Sequence, residues 1–280
     1  MTEEGDWRQL GAAELIRQYD NRSAVPEHPQ IFADWAARSA ATRERHVQVV
    51  ELAYGEHPRE RLDLFRPEAP DVYGAPGADS ADDGDEAAAL HLFIHGGYWQ
   101  ALDKSYFSFV AEPLLAAGET VAICGYPLCP EVGLGDIIAS LRRALLRLRS
   151  RCPARRLIVS GHSAGGHLAA ALLACEPGID CAISLSGLFE LEPLLATPVN
   201  DALRLDAGSA RILSPALWPT PAADGKLLLA VGERESGEYY RQSRLQARAW
   251  GGRLQIAERV APDCNHFSIL DWFCKRYPAL

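Results

Sequence analysis

The stretch LIVSGHSAGGHLAAALL, from Leu157 to Leu173, sets Ser163 between Gly161 and Gly165. A short apolar run enters it and an alanine-rich, helix-forming run leaves it. Read that way, it is a buried strand, a tight turn and a helix, with the serine hydroxyl projecting above the end of a sheet. The competing reading makes Ser163 an ordinary helix N-cap. With this composition a Gly-x-Ser-x-Gly match arises by chance in roughly one sequence in ten, so the surroundings must decide.

Working outward, LHLFIH, TVAICGY, RLIVSG, CAISLSG and KLLLAVG are short, nearly continuous apolar runs between positions 90 and 232. Such runs suit strands covered on both faces of a parallel sheet, whereas the more alternating RLQIAERV suits an edge. Helical patterns separate them at 106–117, 134–151, 164–175 and 239–250. Alternation of strand and helix predicts an α/β fold, a mostly parallel sheet with helices on both faces. Near the start, IFADWAARSAATRER suits a helix and RLDLFRP a strand. Residues 67–89, rich in Pro, Gly, Ala and Asp, read as a solvated loop within one domain spanning 1–280. The segment 188–215, between two central strands, reads as a small lid.

The 280 residues suffice for one large α/β domain with a sizeable core. The formal net charge of −9 argues against a nucleic-acid partner. The one basic run, LRRALLRLRSR at 141–151, alternates at helical spacing and reads as a solvated helix face. No signal-like start and no apolar run of membrane-spanning length is seen. Seven cysteines without a CxxC pair suit a reduced, cytoplasmic protein. A monomer or a homodimer is expected, with no seam visible.

A nucleophilic serine needs a base to take its proton. Among eight histidines, His266 in APDCNHFSIL follows the final strand run. This is where the α/β-hydrolase chain order of Ser, acid, His puts the base. His162 is read as shaping the elbow and His167 as structural. The acid that orients the base is sought in GERES, after KLLLAVG. The usual place in α/β-hydrolases, three residues past the glycine, selects Glu235, with Asp263 and Glu233 as rivals. In HGGYW, the amides of Gly96 and Gly97 are candidate oxyanion donors, with those of Ala164 and Tyr98 beside them. Tyr98, Trp99, Phe189 and Trp218 are candidate substrate-pocket walls. The His91/His95 and His162/His167 spacings lack a nearby carboxylate, so no metal is expected.

HGG, GYPLCPE and GHSAGGHLA resemble the hormone-sensitive-lipase-like branch of the α/β-hydrolases. HGGYW, YDNRSAVPEHPQIFADW, YGEHPRERLDLFRP, SLSGLFELEPL and ERESGEYYRQS narrow the resemblance to the arylformamidase group, the kynurenine formamidases. It covers nearly the whole chain outside 67–89. It implies an α/β-hydrolase fold, no cofactor, and hydrolysis of N-formylkynurenine or a related N-acyl arylamine through an acyl-serine. A small-ester carboxylesterase using the same residues is the alternative. Ser163 and His266 match the family's nucleophile and base. Glu235 stands where the family usually has Asp.

Overall fold

Eight strands hydrogen-bond into one sheet in the computed structural model, which describes residues 6–67, 89–221 and 225–280. They are β1 (Val47–Ala53), β2 (Arg61–Phe65), β3 (Leu90–Ile94), β4 (Thr120–Cys124), β5 (Leu157–His162), β6 (Cys181–Leu185), β7 (Lys226–Gly232) and β8 (Gln255–Ala261). Their order is β1-β2-β4-β3-β5-β6-β7-β8. The six strands from β4 to β8 are parallel, while β2 runs antiparallel to both β1 and β4. Every residue of β3, β4 and β5 is buried. Edge strand β8 is exposed along most of its length, in keeping with its more polar sequence. Positions 68–88, nearly all of the expected loop, lie outside the described residues.

Successive side chains of a strand point to opposite faces, so each strand feeds two cores. Ala122 and Cys124 of β4 join one, Val121 and Ile123 the other. The helix Leu134–Arg151 buries Leu134, Ile137, Leu141, Leu145 and Leu148 and turns its arginines outward. Arg142 pairs there with Glu176, and Arg143 with Glu60. This is the solvated basic face expected of that run.

Two segments depart from the sequence reading. The expected helix at 106–117 is broken into two 3-10 turns, Lys104–Tyr106 and Ser108–Val110, and a short helix, Ala111–Ala116. Pro113 lacks an amide hydrogen and its ring would clash with the carbonyl four residues back, so a helix can only begin close before it. Strand β1, where the sequence shows only extended chain, pairs antiparallel with β2 at the sheet edge. Between β6 and β7, residues 188–215 hold the 3-10 turn Glu192–Ala196 and the short helices Asn200–Leu203 and Ala207–Ile212.

Parallel strands end on one side. The carboxyl ends of β3, β5, β6 and β7 therefore deliver His95, Ser163, Ser186 and Glu235 to the same rim, where ligands of open α/β sheets bind.

Candidate active site

Ser163 has φ 57° and ψ −117°, between β5 and the helix Ala164–Cys175. Such a conformation persists only where its surroundings hold it. Here the Ser163 amide donates to Leu185 O of β6 at 2.7 Å. A β-carbon on Gly161 would stand 2.1 Å from Gly165 O, and one on Gly165 would stand 2.0 Å from Ile94 O. The elbow can therefore pack this tightly only with glycine at both positions. The Ser163 side chain does not cap the helix, which removes the simple N-cap reading.

His266 Nδ1–H donates to Glu235 Oε2 at 2.6 Å. The side chains of this pair are only 5% and 1% exposed. Glu235 Oε1 accepts from the Gly232 amide and from Ser186 Oγ, each at 2.6 Å. One oxygen is thus held by the ends of β6 and β7 and the other is turned to His266. In the tautomer that donates from Nδ1 to this carboxylate, Nε2 of His266 is an acceptor. The rivals lie elsewhere: Asp263 is 82% exposed and pairs with Arg234. Glu233 is exposed and accepts from the Asp263 amide at 2.8 Å.

His162 packs against His266. Its Nε2–H donates to His266 O at 2.6 Å, and the two rings are 4.9 Å apart. Burial, with His266 beside it, lowers its pKa to about 3, so it stays neutral. Tyr239 also packs against the His266 ring, with centroids 4.7 Å apart.

After β3 the chain turns at Gly96 and Gly97, the latter at φ 114°. Among the described residues their amides make no hydrogen bond. A β-carbon on Gly96 would lie 3.1 Å from Ser163 Cβ, which puts this turn beside the serine. The Ala164 amide opens a helix and has no partner within it. His95 anchors the turn: its Nδ1–H donates to Gly96 O at 2.7 Å and its ring stacks on Tyr126 at 4.2 Å. Tyr126 OH in turn donates to His95 O at 2.8 Å.

Ser163, His162, His266, Gly97 and Tyr98 line one cavity of about 460 Å³. Tyr98 OH donates to Tyr19 O at 2.7 Å, and Asn21 Nδ2 donates to Tyr239 OH at 2.7 Å. The other three expected walls are not in the cavity lining. Trp99 is fully buried, edge-on to His167 at 5.0 Å. Phe189 is buried in the core, and Trp218 donates its indole N–H to Ile212 O at 2.6 Å. The walls are instead Ile16, Phe32 and Trp35 from the N-terminal helices, Phe267 beside the base, and Thr197, Pro198 and Val199 from the expected lid. The sequence pattern marked the N-terminal segment as helical, but nothing local in it shows which end of the sheet it covers.

Among the described residues no cluster of three or more His, Cys, Asp or Glu side chains could hold a metal ion, and no helix is long and apolar enough to cross a membrane. His91 is engaged in the core, bonded to Glu119 at 2.8 Å and to Ser160 at 2.6 Å.

Residues 91–216 match a family model described as α/β hydrolase fold. The kynurenine formamidase of Danio rerio is 29% identical over 95% of this chain and 92% of that protein. That of Salmo salar is 26% identical over the same shares. A solved structure from Silicibacter sp. TM1040, provisionally named a thioesterase, is 30% identical over 93% of this chain and 95% of that one, with a TM-score of 0.81. A hormone-sensitive lipase from a metagenome library shares the fold at a TM-score of 0.58 and 20% identity.

Proposed function

Since the chain belongs to the α/β-hydrolase family and is a hydrolase, we propose that it is a cytoplasmic serine hydrolase that cleaves N-formylkynurenine to kynurenine and formate. Two lines support the substrate: the kynurenine formamidase relatives span nearly the whole chain, and the cavity has the aromatic walls Phe32, Trp35 and Phe267 for an aryl group. The observation that carries the mechanism is the 2.6 Å bond from His266 to Glu235 in the wall of the cavity that Ser163 lines.

In this mechanism Ser163 Oγ attacks the formyl carbon and its proton passes to His266 Nε2. The amides of Gly96, Gly97 and Ala164 donate to the oxyanion as charge develops on it. Collapse breaks the C–N bond, and His266 gives its proton to the departing arylamine nitrogen. A water then attacks the formyl-serine, losing its proton to His266. Formate leaves, and the proton returns to Ser163 Oγ. Glu235 holds the His266 tautomer throughout and stabilises the imidazolium that forms twice. The carboxylate must reach a base whose loop is fixed, and the bonds from Gly232 and Ser186 give the longer Glu side chain the single orientation that an Asp would have by being short.

A second reading, hydrolysis of small acyl esters by the same residues, is favoured by the similarity to the provisionally named thioesterase. Measuring kcat/KM on N-formylkynurenine, a bulkier N-acyl arylamine and a short p-nitrophenyl ester separates the two. The formamide is expected to be the best substrate. Negligible turnover of both amides with good ester turnover would reject the amidase reading.

A further inference from the structure

Nineteen residues line the cavity, and only Asp20 and Arg22 among them are permanently charged. They flank Asn21, whose side chain is tied to Tyr98 and Tyr239 at 3.2 and 2.7 Å. That tie fixes the backbone between the two charges against the wall that carries the base. Asp20 is held as a carboxylate acceptor: Oδ1 accepts from the Ser23 amide at 3.1 Å and Oδ2 from Ser23 Oγ at 2.6 Å. These bonds lower its pKa, so it is an anion throughout the neutral range. Arg22 is exposed and lines the cavity, and among the described residues its guanidinium makes no ion pair or hydrogen bond, its charge acting on neighbouring Asp20 only at a distance. Two other arginines, one in the N-terminal segment and one in the helix Gly237–Trp250, are spent internally. Arg241 pairs with Glu238 and Glu190, and Arg8 with Glu192.

An uncommitted guanidinium beside a fixed carboxylate is complementary to a zwitterion. A neutral aryl amide would leave the Arg22 guanidinium without a hydrogen-bonding partner and would gain nothing from the Asp20 charge. A simple anion would engage Arg22 but sit against Asp20. An α-amino acid presents a carboxylate for the planar guanidinium fork and an ammonium for the carboxylate. In a chain of net charge −9, an anionic group is drawn to the cavity only where a local cation offsets the overall field. We propose that Asp20 and Arg22 bind the ammonium and carboxylate of an α-amino acid carried by the substrate, and so make this hydrolase selective for zwitterionic aryl amides. The inference rests on the formamidase reading and adds to it the residues that choose among aryl formamides.

The test uses two substrates with the same formanilide and ketone: N-formylkynurenine, and 2-formamidoacetophenone, which lacks the amino-acid group. The wild-type enzyme is expected to prefer the first by at least about tenfold in kcat/KM. Arg22→Gln is expected to shrink that preference about tenfold, chiefly through KM, because the contact is remote from the breaking bond and is made equally in ground and transition states. Asp20→Asn should act in the same sense, since an Asn oxygen still accepts from the Ser23 amide and the local turn is kept. A readout independent of turnover is calorimetric binding of kynurenine, expected about tenfold weaker to Arg22→Gln than to the wild type. A preference unaltered in both variants, or a loss shared equally by the two formamides, would overturn the proposal while the formamidase reading stands. Failure of the wild type to hydrolyse either formamide, with good ester turnover, would overturn both.

Discussion

Replacing Glu235 by Gln should stop catalysis by forcing the wrong tautomer on the base. Glu235 Oε1 receives two donors, the Gly232 amide and Ser186 Oγ, both at 2.6 Å. The amide hydrogen of Gly232 cannot be turned away, so the Gln carbonyl oxygen must occupy that place. Its NH2 group then faces His266 Nδ1, where Glu235 Oε2 now accepts at 2.6 Å. To accept that hydrogen bond, Nδ1 must lose its proton and Nε2 must carry it. An Nε2–H cannot take the Ser163 proton. In the serine-protease triad the corresponding acid-to-amide change lowers kcat about 10⁴-fold, some 5.5 kcal/mol of transition-state stabilisation, and the same loss is expected here. The assay is steady-state hydrolysis of N-formylkynurenine, with far- and near-UV circular dichroism to verify folding. Asp263→Asn is the control: that carboxylate is 82% exposed and bonded to Arg234, and an exposed pair contributes about 1 kcal/mol or less. It should change kcat less than twofold. Retention of more than about a tenth of kcat in Glu235→Gln, or a larger loss in Asp263→Asn, would refute the reasoning.

Three other outcomes are expected. Ser163→Ala should reduce turnover to background while its thermal unfolding stays close to wild type, and measurable acyl transfer by the variant would remove Ser163 from the nucleophile role. Gly165→Ala should lower Tm by roughly 6–12 °C, about 3 kcal/mol of overpacking, because its new methyl would stand 2.0 Å from Ile94 O, a backbone atom; a scanning-calorimetry shift under 2 °C would show that the elbow yields easily. Stability should fall as pH drops below 6.5, because burial lowers the pKa of His95 and His167 to about 4 and of His162 to about 3. Between those values and 6.5 the unfolded chain binds protons that the folded one does not, so the stability is present above pH 6.5 and lost on acidification, by about 2 kcal/mol per histidine at pH 5. Urea midpoints at pH 7 and pH 5 measure this, and a midpoint unchanged between them would contradict it.

The parts of the fold and site that the sequence made legible are those set by neighbours along the chain. The Gly161–Gly165 approach that marks the elbow lies within a few residues, although the ends of β3 and β6 complete it. Apolar runs identify β3 to β7 because both faces of those strands are covered. Glu235 and His266 are singled out as acid and base by their positions after strand ends, and parallel strands bring such ends to one rim, where the two side chains bond. The pocket walls fail the same logic. Tyr98 and Trp99 are adjacent and both at positive φ, 49° and 58°, a turn that sends Tyr98 to the cavity and Trp99 into the core against His167. Closeness in sequence to Gly96 and Gly97 therefore says nothing about closeness to the cavity. The walls that do face the serine, from Ile16 to Trp35, are more than a hundred residues away from it in sequence. They are brought there by bonds that no local pattern encodes, such as Tyr19 OH to Glu238 at 2.6 Å and Ser236 Oγ to Gln18 O at 2.6 Å. The helix carrying Glu238 starts just after Glu235, so the element that ties down the N-terminal roof continues from the turn that carries the acid. On the proposed mechanism, loosening the N-terminal segment at Tyr19 would thus disturb substrate binding and the orientation of His266 together, because the cavity walls and the proposed acid share one structural support.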